Sequence, residues 1–295
     1  MDEFGHWPKA PASARLRSIL SNLTLTSLTI PRISDPTDYY ASLPPQEDLN
    51  LEIVDEIRAV LQMQPRLEDL YFPPSYLADR FLSTLETSLL PSDIPSLKSL
   101  QAHPGIATSF LAISPGLESL TLFIIIWDDG LFSKFKASSA TSRYSLRHLT
   151  IRVWYSDKWL WENLGKMFAL FPNMETLDFT VNATASNPKP QPAKYFFEKI
   201  AGQSHTLQAL QKLEFQYDSF LEGGSDIERE SVVTFKRCPH LKTIITPKNQ
   251  MWQFQQGLEG SAGSVLTVVG PIGLRWCEPE SLFKDLPHPN EAMEL

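Results

Sequence analysis

The chain has 295 residues, 42% of them hydrophobic and 20% charged, and a formal net charge of −8. This is globular composition, with length enough for a large core. An acidic balance with only scattered Lys and Arg lacks the basic footprint of phosphate recognition, which excludes nucleic acid as the expected partner.

Residues 1–20, MDEFGHWPKAPASARLRSIL, open acidic and carry Pro8 and Pro11. They lack the basic start and apolar stretch of a secretory signal, and are expected to form an N-terminal cap. The first periodic segment is LTLTSLTI, with Leu25, Leu28 and Ile30. A helix is predicted over 50–64, with Ile53, Val54, Ile57 and Leu61 on one face. The periodic segment then returns as PRLEDLYF at 65–72, PSLKSLQA at 95–102 and PGLESLTL at 115–122. Residues 127–144 are expected to include a Ser-rich loop, followed by YSLRHLTI at 144–151. A second helix is predicted over 157–171, with Leu160, Leu164, Met167, Phe168 and Phe171 on one face and Asp157 as N-cap. PNMETLDF follows at 172–179, then a proline-rich loop at 183–193, a helix over 193–204 and QALQKLEF at 208–215. A Gly turn and acidic helix start at 219–230 lead through a helix over 225–238 to PHLKTIIT at 239–246. SVLTVVG at 264–270 reads as the last strand, and the tail 271–295 as a Pro-rich cap.

The recurring template is an apolar residue at i, i+3 and i+5, with Pro at i−2 in five copies. Its first positions are Leu25, Leu67, Leu97, Leu117, Leu146, Met174, Leu210 and Leu241. The i+3/i+5 pair has the period of two of a short strand, so both side chains face one side. Proline cannot continue a helix and biases its predecessor toward extended backbone, which makes each Pro a stop between helix and strand. One strand–helix unit cannot bury its own apolar face. Stacked units can, under a continuous parallel sheet. The expected fold is therefore α/β: one irregular solenoid, with repeats over 21–270 and a parallel concave sheet backed by helices on the convex side.

The template resembles the leucine-rich repeat, L-x-x-L-x-L-x-x-N/C, over about residues 25–250. The i+8 position departs from it: Ser75, Gly105, Ile125, Trp154, Asn182, Asp218 and Asn249 stand there, and only Asn182 and Asn249 match. The irregular lengths and phrases such as CPHLKTI further resemble the repeat regions of fungal F-box-type proteins. In that family an N-terminal F-box binds a ubiquitin-ligase adaptor and the repeats hold the substrate. The stretch LPPQEDLNLEIVDEIRAVL at 43–61 echoes the F-box phrasing, yet it lies between two repeat strands and reads as the helix of an early repeat. A ligase adaptor is thus expected as a partner only if an F-box is present.

Catalytic motifs do not emerge. Cys238 and His240 are neighbours at a helix-to-strand stop, but a metal site needs three or four ligands. The Gly257, Gly260 and Gly263 series lacks the strand–loop–helix context of a phosphate loop. No G-x-S-x-G is present. No cofactor and no metal are expected. The two cysteines, Cys238 and Cys277, read as reduced thiols, and no window approaches the ~20 apolar residues of a membrane span. The chain is accordingly expected to be intracellular, cytoplasmic or nuclear.

The residues that face away from the helices, at i+2, i+4 and i+6, are the expected partner-binding set. From these columns we single out Tyr71, His148, Arg152, Asp178, Lys212, Glu214 and Gln216, with Trp154 beside Arg152. Arg and aromatic residues dominate interface energetics. The first expectation is a non-catalytic module that holds a protein partner on this face, with substrate recognition for ubiquitination implied by the resemblance alone. A repeat scaffold or regulator without a ligase link, and an enzyme whose site is assembled from distant residues, stay open.

Overall fold

The structure is a computed structural model and describes residues 23–30, 47–72, 88–124, 127–153, 158–181, 192–217, 234, 237–238, 240–246, 250–255 and 265–271. Ten strands form one sheet in chain order. They are β1 (Ser27–Thr29), β2 (Asp69–Tyr71), β3 (Ser99–Ala102), β4 (Ser119–Ile124), β5 (His148–Val153), β6 (Thr176–Val181), β7 (Lys212–Tyr217), β8 (Thr243–Thr246), β9 (Gln250–Gln255) and β10 (Val265–Pro271). The first eight are parallel. Helices α1 (Glu47–Gln62), α2 (Pro104–Ile113), α3 (Asp129–Ser142), α4 (Lys158–Phe168) and α5 (Pro192–Gly202) lie between them. The expected α/β solenoid, a row of parallel strands with helices on one side, is the observed one. No helix among the described residues is long and apolar enough to cross a membrane.

The template explains the register. Its i+3 residues stand in one row: Leu28, Leu70, Leu100, Leu120, Leu149, Leu177, Leu213 and Ile244. The i+5 residues Ala102, Leu122, Ile151, Phe179 and Phe215 form a second row. Both rows from β2 to β7 are buried in one core with the i residues Leu67 to Leu241. A one-residue slip of any strand would turn its leucines to the opposite face, so burial pins the register.

Six of the i residues close a turn. The N–H of Leu67, Leu97, Leu117, Met174, Leu210 and Leu241 donates to the carbonyl three residues back, at 3.0–3.3 Å. In the Pro65, Pro95, Pro115 and Pro172 copies the proline therefore occupies the second position of the turn, where its fixed φ is already correct. Proline here shapes the corner as well as stopping the helix. The next two N–H groups of every copy then share one carbonyl of the preceding copy: Glu175 and Thr176 donate to Arg147 O at 2.7 and 3.0 Å, and Gln211 and Lys212 to Glu175 O at 2.8 and 3.0 Å. Side chains in this i+1 row alternate in sign from Glu68 to Glu175. Lys98 Nζ lies 3.1 Å from Glu68 Oε1, and Arg147 Nη1 lies 3.6 Å from Glu175 Oε1.

The sequence reading is corrected in three places. Residues 127–144 are not a loop: α3 occupies Asp129–Ser142. Asp128 caps it by accepting from Leu131 N at 2.7 Å, and Phe132, Phe135, Ser139 and Ser142 form its buried face. That stripe was masked because half of it is serine. Ser142 Oγ donates to Ser114 O at 2.6 Å and lies 3.1 Å from Leu111 O, tying α3 to the end of α2. Ser142→Ala is expected to lower stability by about 1–3 kcal/mol, because it strips buried carbonyls of their donor. Denaturant unfolding with an unchanged m-value checks it.

The second is α2, which fills the stretch between the copies at 95–102 and 115–122, where the sequence reading names no element. Ala102 in the i+5 row and Gly105, Ala107 and Ser109 in the helix are small and buried, so α2 lies close to the sheet. His103 is consequently not a residue of the open face. It caps α2, its Nδ1 accepting from Gly105 N at 3.2 Å. Burial lowers the imidazole pKa to about 4, which keeps the ring neutral and able to accept.

The third is the C-terminal end of the sheet. The strand expected at 264–270 exists as β10, but it runs antiparallel to β9, and β9 is antiparallel to β8. No template residue announced β9. The predicted helices over 50–64, 157–171 and 193–204 appear as α1, α4 and α5, shifted by a few residues. The 43–61 stretch supplies α1, between β1 and β2, the place expected of an early-repeat helix. The N-terminal cap, Asp157, residues 183–191 of the expected proline-rich loop, the glycine series and nearly all of the tail and of the 225–238 helix lie outside the described residues, and Pro192 and Ala193 begin α5 rather than end that loop.

Candidate partner-binding face

Side chains alternate along a strand, so fixing i+3 and i+5 against the helices puts i+2, i+4 and i+6 on the other face. Pairing carries these positions into rows. The i+2 row reads Asp69, Ser99, Ser119, His148, Thr176, Lys212, Thr243, and the i+4 row Tyr71, Gln101, Thr121, Thr150, Asp178, Glu214, Ile245. Phe123, Arg152, Thr180 and Gln216 form the i+6 row on β4 to β7. Seven of the eight singled-out residues therefore share one face. Trp154 lies outside the described residues.

The rows differ in access. Asp69, Gln101, His148 and Lys212 are exposed, and Tyr71, Arg152, Asp178 and Glu214 are half-buried. The i+6 row is largely closed: Phe123 is 3% exposed, and Thr180 and Gln216 7%. Gln216 thus offers a partner little surface, contrary to its place among the anchor residues. Phe123 is flanked by neighbours from two strands. The Tyr71 ring lies 5.9 Å away between centroids, and the Arg152 guanidinium carbon 6.0 Å from the ring centroid. The latter is cation–π distance, so Arg152 is held over the ring rather than swinging freely.

Toward β7 the chemistry changes from aromatic to ionic. Asp178 on β6 stands directly opposite Glu214 on β7. Lys212 Nζ pairs with Glu214 Oε2 at 3.1 Å, and Thr180 Oγ1 donates to Asp178 Oδ1 at 3.3 Å. His148 Nδ1 lies 2.7 Å from Thr176 Oγ1 on the adjacent strand. Burial and the Glu214 charge raise the Asp178 pKa to about 6, against the opposing pull of Arg152, the Thr180 hydroxyl and Lys212. Like charges directly opposite on neighbouring strands destabilise a sheet. Asp178 is thus a residue the fold alone would not select. The sequence columns place it on this face, but its surroundings follow only from the pairing of β6 with β7.

Cys238 is a buried free thiol whose pKa burial pushes up to about 11, and it belongs to the core. Cys277 lies outside the described residues.

No family model matches the chain. No curated protein matches it either. Among solved structures the chain is similar to the leucine-rich repeat-containing protein LegL7 from Legionella pneumophila, at 17% identity over 80% of this chain and 70% of that one, with a TM-score of 0.43.

Proposed function

We propose that the chain is a non-catalytic interaction module that holds a protein partner on the helix-free face of its sheet. The observation that carries this reading is the in-register face itself: rows of accessible polar side chains on seven parallel strands, with Tyr71 and Arg152 at one part and an ionic cluster at the other. Solenoids use such extended surfaces for binding. Arg and Tyr fixed by neighbours supply contact area at low entropic cost. The finer reading, a repeat region that recognises substrates for an F-box-type ubiquitin ligase inside the cell, rests on the sequence resemblance alone.

The test is recovery of partners by the tagged chain from lysate, with mass spectrometry, using the wild type and two variants. Arg152→Glu with Lys212→Glu reverses charge on the open face. Lys98→Glu with Arg147→Glu does so in the i+1 row. The open-face pair is expected to lose a recovered partner at least about tenfold, since a like-charge juxtaposition in an interface costs several kcal/mol. The i+1 pair is expected to retain it. Retention by both would overturn the assignment of the face. Recovery of a ligase adaptor or a cullin with the wild type supports the ubiquitin reading, and partners without them remove it.

A further inference from the structure

The opposed carboxyls of β6 and β7 sit in the ionic part of the proposed binding face, and the fold gains nothing from their repulsion. Every charged or titratable group facing Asp178 from the adjoining strands can be named. Arg152 and His148 come from β5, and Glu214 and Lys212 from β7. The other open-face residues of β6 itself are Thr176 and Thr180. Lys212 already engages Glu214 as an ion pair at 3.1 Å, whereas Asp178 receives the Thr180 hydroxyl at 3.3 Å in a half-buried setting. Taking up a proton on Asp178 removes both the like-charge contact and the desolvation of its carboxylate. Protonation of Asp178 therefore takes one negative charge from the patch.

We propose that the Asp178–Glu214 pair makes this face proton-responsive: Asp178 binds one proton as the surroundings acidify, and the charge that the face offers a partner changes with it. The proposal deepens the partner-binding reading and rests on it for its purpose, but the proton uptake is measurable without any partner. Asp178 is then expected to titrate near pH 6, with burial as the first cause and Glu214 as the second.

The experiment is carboxyl-carbon NMR of the full chain across pH 4 to 8, with the Asp178 resonance assigned by its disappearance in Asp178→Asn. The expected midpoint lies near 6 in the wild type and falls in Glu214→Gln, which removes the repulsion and keeps the shape. His148→Gln is expected to leave it in place, which separates carboxyl uptake from imidazole uptake. A wild-type midpoint in the ordinary range, about 4, overturns the proposal. So does an unmoved midpoint in Glu214→Gln.

Two further readouts keep the test decisive. The first is line broadening of the β6 and β7 amides by a cationic and by an anionic nitroxide. The cationic-to-anionic ratio is expected to drop between pH 7.5 and 5 in the wild type by more than in Asp178→Asn; equal drops count against the proposal. The second is unfolding stability against pH. A carboxyl whose folded pKa is raised costs the fold stability above that pKa, and the cost fades as pH falls toward the unfolded value. Asp178→Asn is therefore expected to be the more stable protein above pH 6, with its advantage gone near pH 4. His103, whose pKa is lowered, acts in the opposite direction as pH falls below its unfolded value, and the wild-type-minus-variant difference cancels it. A failed pull-down leaves these three results standing, and a failed titration leaves the pull-down standing, so the two readings fall separately.

Discussion

Phe196→Ala is expected to cost about 3–5 kcal/mol, the range for a fully buried Phe cut to Ala. Phe196, on α5, has no exposed surface. Its ring lies 4.7 Å from Phe215 and 5.1 Å from Phe179, both nearly parallel to it, and 5.5 Å from Phe197 and 6.1 Å from Phe168, both edge-on. Four rings from α4, α5, β6 and β7 thus converge on one side chain. Truncation leaves a cavity lined by rigid aromatics, which relax poorly, so the cost should fall at the upper end of the range. Phe196→Leu keeps most of the volume and is expected to cost under about half as much. Denaturant melts of the two variants check the order. Equal losses would mean that the ring stacking, rather than the filled volume, holds α5 to the sheet.

That cluster also shows why the repeat is irregular and how much of it the sequence discloses. From β3 to β7 the i+5 side chains grow from Ala102 through Leu122 and Ile151 to Phe179 and Phe215. Ala102 on β3 admits the close, largely buried α2, and the rings on β6 and β7 stand against α5. The period of two and the proline corners are local signals, so the parallel rows are readable before any fold is known. The helix α3 is not readable in that way. Its buried positions Ser139 and Ser142 serve through size and hydrogen bonds, and hydrophobic periodicity does not register either. The antiparallel β9 escapes for another reason. QMWQFQ carries none of the i, i+3, i+5 template, and its direction is set by β8 and β10, which flank it.

The binding face divides the same way. Alternation alone assigns Tyr71, His148, Arg152, Asp178, Lys212 and Glu214 to the open side. Access does not follow from alternation: Phe123 is covered by residues of β2 and β5, and Gln216 is buried although its row is on the open face. The environment of Asp178 likewise depends on pairing between strands whose opposed residues are 36 positions apart.

Asp93→Ala is the second large loss expected. Asp93 ends a short 3-10 turn, Pro91–Asp93, just before β3, and is 2% exposed. Its Oδ2 accepts from Arg58 Nε at 3.2 Å and from Leu90 N at 2.9 Å, and its Oδ1 from Gln62 Nε2 at 2.8 Å. One carboxylate thus caps the turn and fastens α1 to the chain entering β3. Removing one partner of a buried pair costs about 3–5 kcal/mol when the remaining charge stays dry. Arg58 keeps a third of its side chain in solvent and Gln62 is exposed, so the expected loss is nearer about 2–3 kcal/mol, most of it from the lost acceptor of the Leu90 N–H. Asp93→Asn retains an acceptor for the Leu90 N–H and is expected to lose about half as much, through the lost charge assistance. Hydrogen exchange locates the effect: the amides of α1 and β2 should lose protection first, while β5 to β7 keep theirs, because solenoid repeats contact chiefly their neighbours. Uniform loss across all strands would instead mean that the sheet unfolds as one unit, and that Asp93 supports every repeat rather than the first ones.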